Sequence, residues 1–274
     1  MTVTIRQGDC RDVLRTMAAE SVHCCVTSPP YFRQRDYGMP GQIGQEQTPA
    51  DLADALSEVF AGVRRVLRPD GCLWLNIGDT YAAGGNGGGG SLGAKRRQWT
   101  GAHKRTARRR QSPGFKEKDI TLTPFVVADT LRADGWYLRA TIIWDKETAT
   151  EPPRLDRPST AHEYLFLLTK NEFSRVRDPG EPWFRSTVWM IRPQPSRIDH
   201  PAVMPAELVR RCIVCSSGAG DMILDPFGGS GTTGVVADRL GRNAVLIELN
   251  PEYAAVAERR ITGDAGMFAE VQSQ

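Results

Sequence analysis

Long apolar stretches are absent from this sequence. No run approaches the roughly 20 apolar residues that a membrane-spanning helix needs, and the first residues lack the basic and then apolar regions of a secretory signal. We therefore expect a cytoplasmic protein with no membrane partner. The composition is otherwise that of a globular chain of 274 residues, 40% hydrophobic and 24% charged, which allows one sizeable core with insertions.

The sequence also lacks the spacing of cysteines and histidines that a zinc site needs. The chain has six cysteines, and Cys212 and Cys215 form its CxxC motif. A structural zinc site needs a further pair at fixed spacing, so we expect no metal. The CxxC spacing favours two small residues on one helix face. Cys24 and Cys25 lie in a predicted strand, which favours core packing over chemistry.

Positive charge is concentrated in one segment. Residues 95–118 carry ten lysines and arginines and one acid, a charge of +9 in a chain whose total is +3, which leaves −6 for the rest. Seven glycines in residues 84–93 precede this segment. Such a stretch cannot order itself by burial, so residues 82–119 are predicted to be a flexible insertion. Its charge indicates a polyanionic partner, and a solvated loop is the alternative.

Strand and helix patterns alternate along the chain. Strands are predicted at 2–9, 22–26, 72–77, 137–144, 163–169, 222–227 and 244–248, and helices after residue 9 and at 48–68, 123–134, 205–215, 231–240 and 251–261. A turn at 69–71 is expected to close the second helix. This alternation is typical of an α/β fold, an open and mostly parallel sheet with helices on both faces.

A glycine-rich turn near the C-terminus favours a cofactor site. The sequence DPFGGSGTT follows a predicted strand that ends at Asp225, and Glu248 ends the next strand 23 residues later. Ligands in such sheets bind over this kind of turn, and an acid at the next strand end can accept hydrogen bonds from ribose hydroxyls. A carboxylate at the turn suits a cationic ligand such as S-adenosylmethionine better than a phosphate. A plain structural turn is the alternative.

Near the N-terminus, Thr27-Ser28-Pro29-Pro30-Tyr31 follows a strand and precedes a loop with Arg33 and Arg35. TSPPY resembles motif IV of the DNA amino-methyltransferases, and DPFGGSGTT resembles their motif I. Motif IV comes first here, as in the permuted beta group of this family. The resemblance implies a circularly permuted, Rossmann-like methyltransferase fold that uses S-adenosylmethionine. It covers most of the chain except residues 82–119.

The resemblance also implies the organisation of a single domain. Residues 1–80 would form the catalytic half, 120–199 the remaining sheet with a candidate target-recognition segment, and 200–262 the cofactor half. The cofactor-binding residues would be Asp9, Cys10, His200, Ala202, Asp225, Pro226, Phe227, Gly229, Ser230, Gly231, Thr232, Thr233 and Glu248. The catalytic residues would be Ser28, Pro29, Pro30 and Tyr31.

The family mechanism implies a role for each catalytic residue. Ser28 and the carbonyl of Pro29 would accept hydrogen bonds from the target amine, and Tyr31 would stack on a base turned out of the duplex. No covalent enzyme intermediate is expected. Serine at this position is commoner in family members that methylate cytosine N4, whereas those acting on adenine N6 mostly have aspartate or asparagine. We therefore expect N4-cytosine methylation, with N6-adenine as the alternative.

Double-stranded DNA is the expected partner. Predicted DNA contacts are Arg33, Arg35, Lys95, Arg96, Arg97, Lys104, Arg105, Arg108, Arg109 and Arg110, and residues 172–199 are a second candidate for target recognition. Methylation of RNA or of a protein amide is a rival interpretation, and a catalytically inactive nucleic-acid-binding module is another. A homodimer and a cognate restriction endonuclease are further partners to test.

Overall fold

Nine strands and six α-helices form the part of the chain that this computed structural model describes, which is residues 1–82, 114–148, 156–193 and 204–264 with the backbone of 270–273. The strands are β1 (Thr2–Gln7), β2 (Val22–Thr27), β3 (Leu67–Ile77), β4 (Tyr137–Asp145), β5 (His162–Thr169), β6 (Val188–Met190), β7 (Met222–Asp225), β8 (Asn243–Glu248) and β9 (Glu270–Ser273). The helices are α1 (Cys10–Thr16), α2 (Pro49–Val66), α3 (Thr123–Ala133), α4 (Ala206–Ser216), α5 (Thr232–Arg239) and α6 (Pro251–Asp264).

The strands form one mixed sheet in the order β6-β4-β5-β3-β2-β7-β8-β1-β9. β5 runs antiparallel to both of its neighbours, β3 and β4, and the other described pairs are parallel. The predicted α/β class is confirmed. The reversal of β5 places its first residues at the edge where the parallel strands end.

Two apolar layers cover the sheet. Leu73 packs with α1, α2 and α3 on one face, whereas the next residue, Trp74, packs with α4, α5 and α6 on the other. Successive residues of a strand point to opposite faces, so a strand buried on both sides is a nearly continuous apolar run. The indole of Trp74 donates to Ser216 Oγ at 2.7 Å, which satisfies its polar atom inside the core.

The N-terminus of α2 shows how local sequence sets an element. Thr48 Oγ1 accepts from the backbone of Asp51, the Asp51 carboxylate accepts from the backbone of Thr48, and Pro49 occupies the first turn. This reciprocal cap satisfies two donors that the helix leaves unpaired. One face of this helix is apolar at spacings of three and four, and its residues are buried: Leu52, Leu56, Val59, Phe60, Val63 and Val66.

The structure corrects several predicted bounds. β3 begins at Leu67, so residues 69–71 belong to a strand and not to a closing turn, and the pairing of β2 with β3 shifts register between Val22 and Cys24. β1 ends at Gln7, two residues earlier than predicted, and β7 ends at Asp225, as expected from the glycine-rich turn, and does not extend to residue 227. β6, β9 and a 3₁₀ turn at Pro182–Arg185 were not predicted, because three or four residues are too few for a periodic signal.

The six cysteines are buried thiols. Cys24 and Cys25 pack on opposite faces of β2, and Cys212 and Cys215 lie on the buried side of α4. Within the described ranges no cluster of histidine, cysteine or acidic residues could hold a metal ion, and no helix there is long and apolar enough to cross a membrane.

Gly231, at the start of α5, is a position that only glycine fits without strain. Its φ is +81°, and an added Cβ would lie 2.9 Å from Ala257 Cβ of α6. We expect Gly231→Ala to lower the free energy of unfolding by about 2–4 kcal/mol, because it adds a left-handed penalty to a steric one. Gly241→Ala is the control, since Gly241 has a φ of +73° but open space around it. Equal losses in urea unfolding would show that the contact with α6 is unimportant.

Candidate active site

A cavity of about 670 Å³ lies at the edge where the parallel strands end. In open α/β sheets ligands bind beyond the carboxyl ends of the strands. Predicted site residues that line it are Asp9, Cys10, Ser28, Pro29, Pro30, Tyr31, Arg35, Asp225, Pro226, Phe227, Gly229, Ser230, Thr232, Thr233 and Glu248. The two motifs, about 200 positions apart in the chain, therefore meet in one cavity.

Asp225 connects the two motifs. Its Oδ1 accepts from Thr27 Oγ1 at 2.6 Å and from the backbone nitrogen of Phe227 at 3.1 Å, and its Oδ2 accepts from Thr233 Oγ1 at 2.7 Å. The residue is 2% exposed. Burial raises the pKa of this carboxyl, and the hydrogen bonds from Thr27 and Thr233 partly oppose that rise.

Glu248 fixes the glycine-rich turn. Its Oε2 accepts from the backbone nitrogen of Gly229 and its Oε1 from that of Asn250, each at 2.8 Å. The backbone nitrogen of Gly228 donates to the carbonyl of Ile247 at 2.8 Å. A Cβ added at Gly228 would lie only 3.0 Å from the Cβ of Leu246. The turn thus lies directly against β8. Burial raises the pKa of Glu248.

Hydroxyl groups of the motif face the protein. Arg260 of α6 donates through Nη1 to Ser230 Oγ at 3.1 Å and to Thr232 Oγ1 at 2.8 Å. Thr233 donates to Asp225. Gly231 is not in the cavity wall and instead contacts α6. Among the predicted cofactor residues that the structure describes, Gly231 is thus the one outside the cavity wall, because it faces another helix.

The first turn of α1 supplies a further acid. Asp9 caps the helix through Arg11 N at 2.9 Å and forms an ion pair with the Arg11 guanidinium at 2.6 Å. The hydrogen bond from that guanidinium lowers the pKa of Asp9. Arg11 also donates to the carbonyl of Gly41 at 3.1 Å. The loop of residues 31–47 is thereby held against this end of the cavity.

Two arginines predicted to contact DNA lie in that loop, and their side chains have different surroundings. Arg35 lines the cavity. Arg33 is held in its own loop, where Nε donates to the carbonyl of Glu46 at 2.8 Å and the guanidinium lies over the ring of Phe32. Gly44 packs on Pro30, since an added Cβ would lie 2.8 Å from the proline Cβ. Of these two arginines, Arg35 therefore lines the cavity, whereas Arg33 is bonded within its own loop.

Ser28 and Tyr31 lie within a network that sequence reasoning missed. Tyr31 Oη donates to Glu163 Oε2 at 2.6 Å, and Ser28 Oγ donates to Tyr31 Oη at 3.2 Å. Glu163 also accepts from Asn76 Nδ2 at 3.2 Å and from Lys146 Nζ at 2.5 Å. Burial, and then the charge of Glu163, raises the pKa of the Tyr31 phenol well above its usual value.

Other missed residues complete the wall at this end. Trp144 of β4 lines the cavity and lies under the Lys146 ammonium, 5.0 Å from the ring centroid, and Pro193 and Met204 lie in the same wall. Glu163 is the second residue of β5, so its location depends on the direction of that strand. No local sequence signal gives that direction.

Some predicted residues lie outside the described part of the chain. These are His200, Ala202, Lys95, Arg96, Arg97, Lys104, Arg105, Arg108, Arg109 and Arg110. The described ends of the basic insertion pair with each other, through a bridge of Tyr81 with Ile120 and a bond from Ala82 N to the Asp119 carbonyl at 2.8 Å. They follow the carboxyl end of β3. The insertion therefore begins and ends at the sheet edge that carries the cavity.

Comparison with known proteins identifies the family. A family model described as DNA methylase, of the N6/N4 type, matches residues 22–259. The chain belongs to this family. The Type II methyltransferase M.Cfr9I of Citrobacter freundii is 42% identical over 270 residues, covering 95% of this chain and 88% of that protein. The Type II methyltransferase M.SmaI of Serratia marcescens is 41% identical over 270 residues, covering 93% and 89%.

Solved structures agree. A putative DNA modification methylase of Thermus thermophilus, in complex with S-adenosyl-L-methionine, is 28% identical with a TM-score of 0.69, covering 98% of this chain and 99% of that one. The PvuII DNA methyltransferase, described as cytosine-N4-specific, is 21% identical with a TM-score of 0.71, covering 96% and 92%, which bears on the fold alone. The methylase is thus a Type II, S-adenosylmethionine-dependent DNA methyltransferase acting on cytosine N4 or adenine N6.

The cavity fits this cofactor chemically. S-Adenosylmethionine has a cationic sulfonium centre, an ammonium group, two ribose hydroxyls and an adenine. Three carboxylates, Asp9, Asp225 and Glu248, lie at one end of the cavity, where they favour positive charge and can accept hydrogen bonds from hydroxyl groups. Phosphate would be disfavoured there, since three acids surround the turn.

Asp225 gives a prediction for both stability and binding. Asp225→Ala leaves two hydroxyls and a backbone N–H without their acceptor, so we expect a loss of about 2–4 kcal/mol in unfolding free energy and loss of cofactor binding in equilibrium dialysis. Asp225→Asn keeps an acceptor and should lose less. Normal cofactor affinity in Asp225→Ala would contradict the assignment of this end of the cavity, and equal losses in both variants would mean that the charge matters more than the hydrogen bonds.

Proposed function

We propose that the methylase transfers a methyl group to the exocyclic N4 of cytosine in duplex DNA. The observation that carries this choice of base is Ser28. Ser28 lines the cavity and is the first residue of the SPPY motif. Adenine-specific family members mostly have an acid or amide at this position. S-Adenosylmethionine supplies an electrophilic methyl group when bound. The protein must then hold the amine nitrogen in line with the bond from the methyl carbon to sulfur. It must also make the lone pair of that nitrogen more nucleophilic.

Two acceptors are proposed for the two amine protons. Ser28 Oγ would accept one and the carbonyl of Pro29 the other, which draws the nitrogen towards tetrahedral geometry. Pro29 and Pro30 restrict the backbone and keep the carbonyl aimed. Pro30 is also packed against Gly44. A rigid acceptor pair is useful because reorganisation at the moment of transfer would raise the barrier.

The ring of Tyr31 is the proposed platform for a flipped base. It lies so close to Gly78 that an added Cβ there would be 2.7 Å from a ring carbon, and its hydroxyl is held by Glu163. The plane of the ring is therefore fixed from two sides. Stacking contributes roughly 1–3 kcal/mol, which offsets part of the cost of taking a base out of the duplex.

The cofactor is proposed to lie at the acidic end, beside Asp9, Asp225 and Glu248. Glu248 has the position expected for an acceptor of ribose hydroxyls, at the end of the strand that follows the glycine-rich turn. The catalytic motif precedes this turn in the chain, which supports a circularly permuted arrangement. A homodimer and a cognate restriction endonuclease remain proposals that follow from the family.

Nucleoside analysis tests the proposed target. The methylase, incubated with trideuteromethyl-labelled cofactor and unmethylated mixed-sequence duplex DNA, should yield labelled N4-methyldeoxycytidine by mass spectrometry. Ser28→Ala should lower the yield at fixed time at least about tenfold. Ser21→Ala, a surface serine bonded to the carbonyl of Ala18, should not. Labelled N6-methyldeoxyadenosine would contradict the choice of base, and label in RNA or peptide alone would contradict DNA as the substrate.

The basic insertion is proposed to contact the DNA backbone. Replacing Arg108, Arg109 and Arg110 with glutamine should flatten the plot of log binding constant against log salt by about 0.9 for each phosphate that is no longer neutralised. The control replaces Arg15, Arg68 and Arg132, which are exposed by 44–66% and lie near the ends of α1 and α3 and the start of β3, at the opposite edge of the sheet. An unchanged slope in the first triple variant would contradict a DNA role for these arginines.

A further inference from the structure

Glu163 and Lys146 form a buried ion pair beside the catalytic motif. Lys146 Nζ lies 2.5 Å from Glu163 Oε1, and the two side chains are 10% and 15% exposed. Both line the cavity. Removing two charges from water costs free energy, and a buried ion pair often adds no net stability to a fold. The hydrogen bonds that join this pair to the SPPY motif therefore suggest a role in the site.

The proton positions in this network are determined by the groups present. Tyr31 has one phenolic proton and two acceptors in reach, Glu163 Oε2 at 2.6 Å and Asn76 Oδ1 at 3.2 Å. The shorter bond to the carboxylate is the stronger one, so the proton points to Glu163. The phenolic oxygen then accepts from Ser28 Oγ at 3.2 Å. With its own proton so directed, Ser28 presents lone pairs to the cavity.

We propose that Glu163 is a positioning residue that acts through Tyr31 to keep Ser28 an acceptor, and that it receives the proton lost by the methylated amine. This inference rests on the proposed function but holds for either base. Lys146 Nζ anchors the carboxylate through Oε1. Asn76 Nδ2, on the neighbouring strand β3, donates to Glu163 Oε2 at 3.2 Å and also to the carbonyl of Tyr164.

The proton transfer balances. The amine nitrogen forms a bond to the methyl carbon as the bond from that carbon to sulfur breaks, with its electron pair remaining on sulfur. The nitrogen then releases one proton to Ser28 Oγ. The Ser28 proton moves to Tyr31 Oη, and the Tyr31 proton moves to Glu163 Oε2. The products are a neutral methylated amine and a protonated Glu163, which is exposed enough to return its proton to water.

Conservative variants separate this chain of bonds from simple packing. Tyr31→Phe keeps the ring and removes the link, and Glu163→Gln keeps the shape and removes the charge. Each should slow single-turnover methylation about 100-fold, with cofactor and DNA dissociation constants within about twofold of the wild type. The double variant should be no slower than either, because the residues act as one unit. Tyr164→Phe is the control, since the Tyr164 hydroxyl is hydrogen-bonded to His162 and takes no part in this series of hydrogen bonds.

A second double variant tests whether Glu163 only neutralises Lys146. Lys146→Met with Glu163→Gln removes both charges. If Glu163 only neutralised the charge of Lys146, the methylation rate of this double variant would return to that of the wild type, and the proposal would be overturned. It would also be overturned if Tyr31→Phe methylated DNA at the wild-type rate. Continued slow transfer in the charge-free pair is the expected result.

A readout without catalysis checks the same bond. In protein labelled with carbon-13 at the tyrosine Cζ, the Tyr31 signal is assigned by its loss in Tyr31→Phe. It should shift in Glu163→Gln while the Tyr164 signal stays in place. An unmoved Tyr31 signal would refute the hydrogen bond even in cofactor-free protein. A wild type that methylates no DNA would instead refute the proposed function and, with it, the proton transfer.

Discussion

The carboxylate of Asp225 is the contact on which the site depends, because it is bonded to residues of both halves of the chain. It accepts from Thr27, which precedes Ser28, and from Thr233 in the first turn of α5. Burying a carboxylate is costly unless donors surround it, and here three donors do. The backbone pairing of β2 with β7 brings the end of β2 close to the glycine-rich turn, and the Asp225 side chain then ties the two together. The separation of Ser28 from the glycine-rich turn depends on both.

The reversal of β5 is the second constraint, and it marks the limit of prediction from sequence. The motifs at Ser28 and Asp225 could be placed because each follows a strand with strong local signals, and parallel strands end at one edge. Glu163 begins a strand, which in a fully parallel sheet would place it at the far edge. Only the antiparallel pairing of β5 with β3 and β4 brings it to the cavity, and pairing between distant segments leaves no local signal.

Two predicted site residues have neighbours that the sequence does not reveal. Glycines in such turns allow a ligand to approach, and the missing Cβ of Gly231 also makes room for Ala257 of α6. Arg33 is basic and follows the motif, and its guanidinium closes its own loop on the carbonyl of Glu46. Tertiary packing brings these neighbours close, and it leaves no local sequence signal.

The proposed role of Ser28 raises the question of how a neutral hydroxyl can act as the acceptor that is an acid or amide in most adenine-specific family members. A hydroxyl can donate or accept, so its polarity depends on what stands behind it. Tyr31 takes the serine proton because Glu163 takes the tyrosine proton, and Lys146 holds the glutamate in place. In the proposed complex, the negative charge of Glu163 is then three hydrogen bonds away from the amine. At that distance it orients the acceptor without repelling the electron-rich nitrogen, whereas the positive charge that develops on transfer is still drawn towards it.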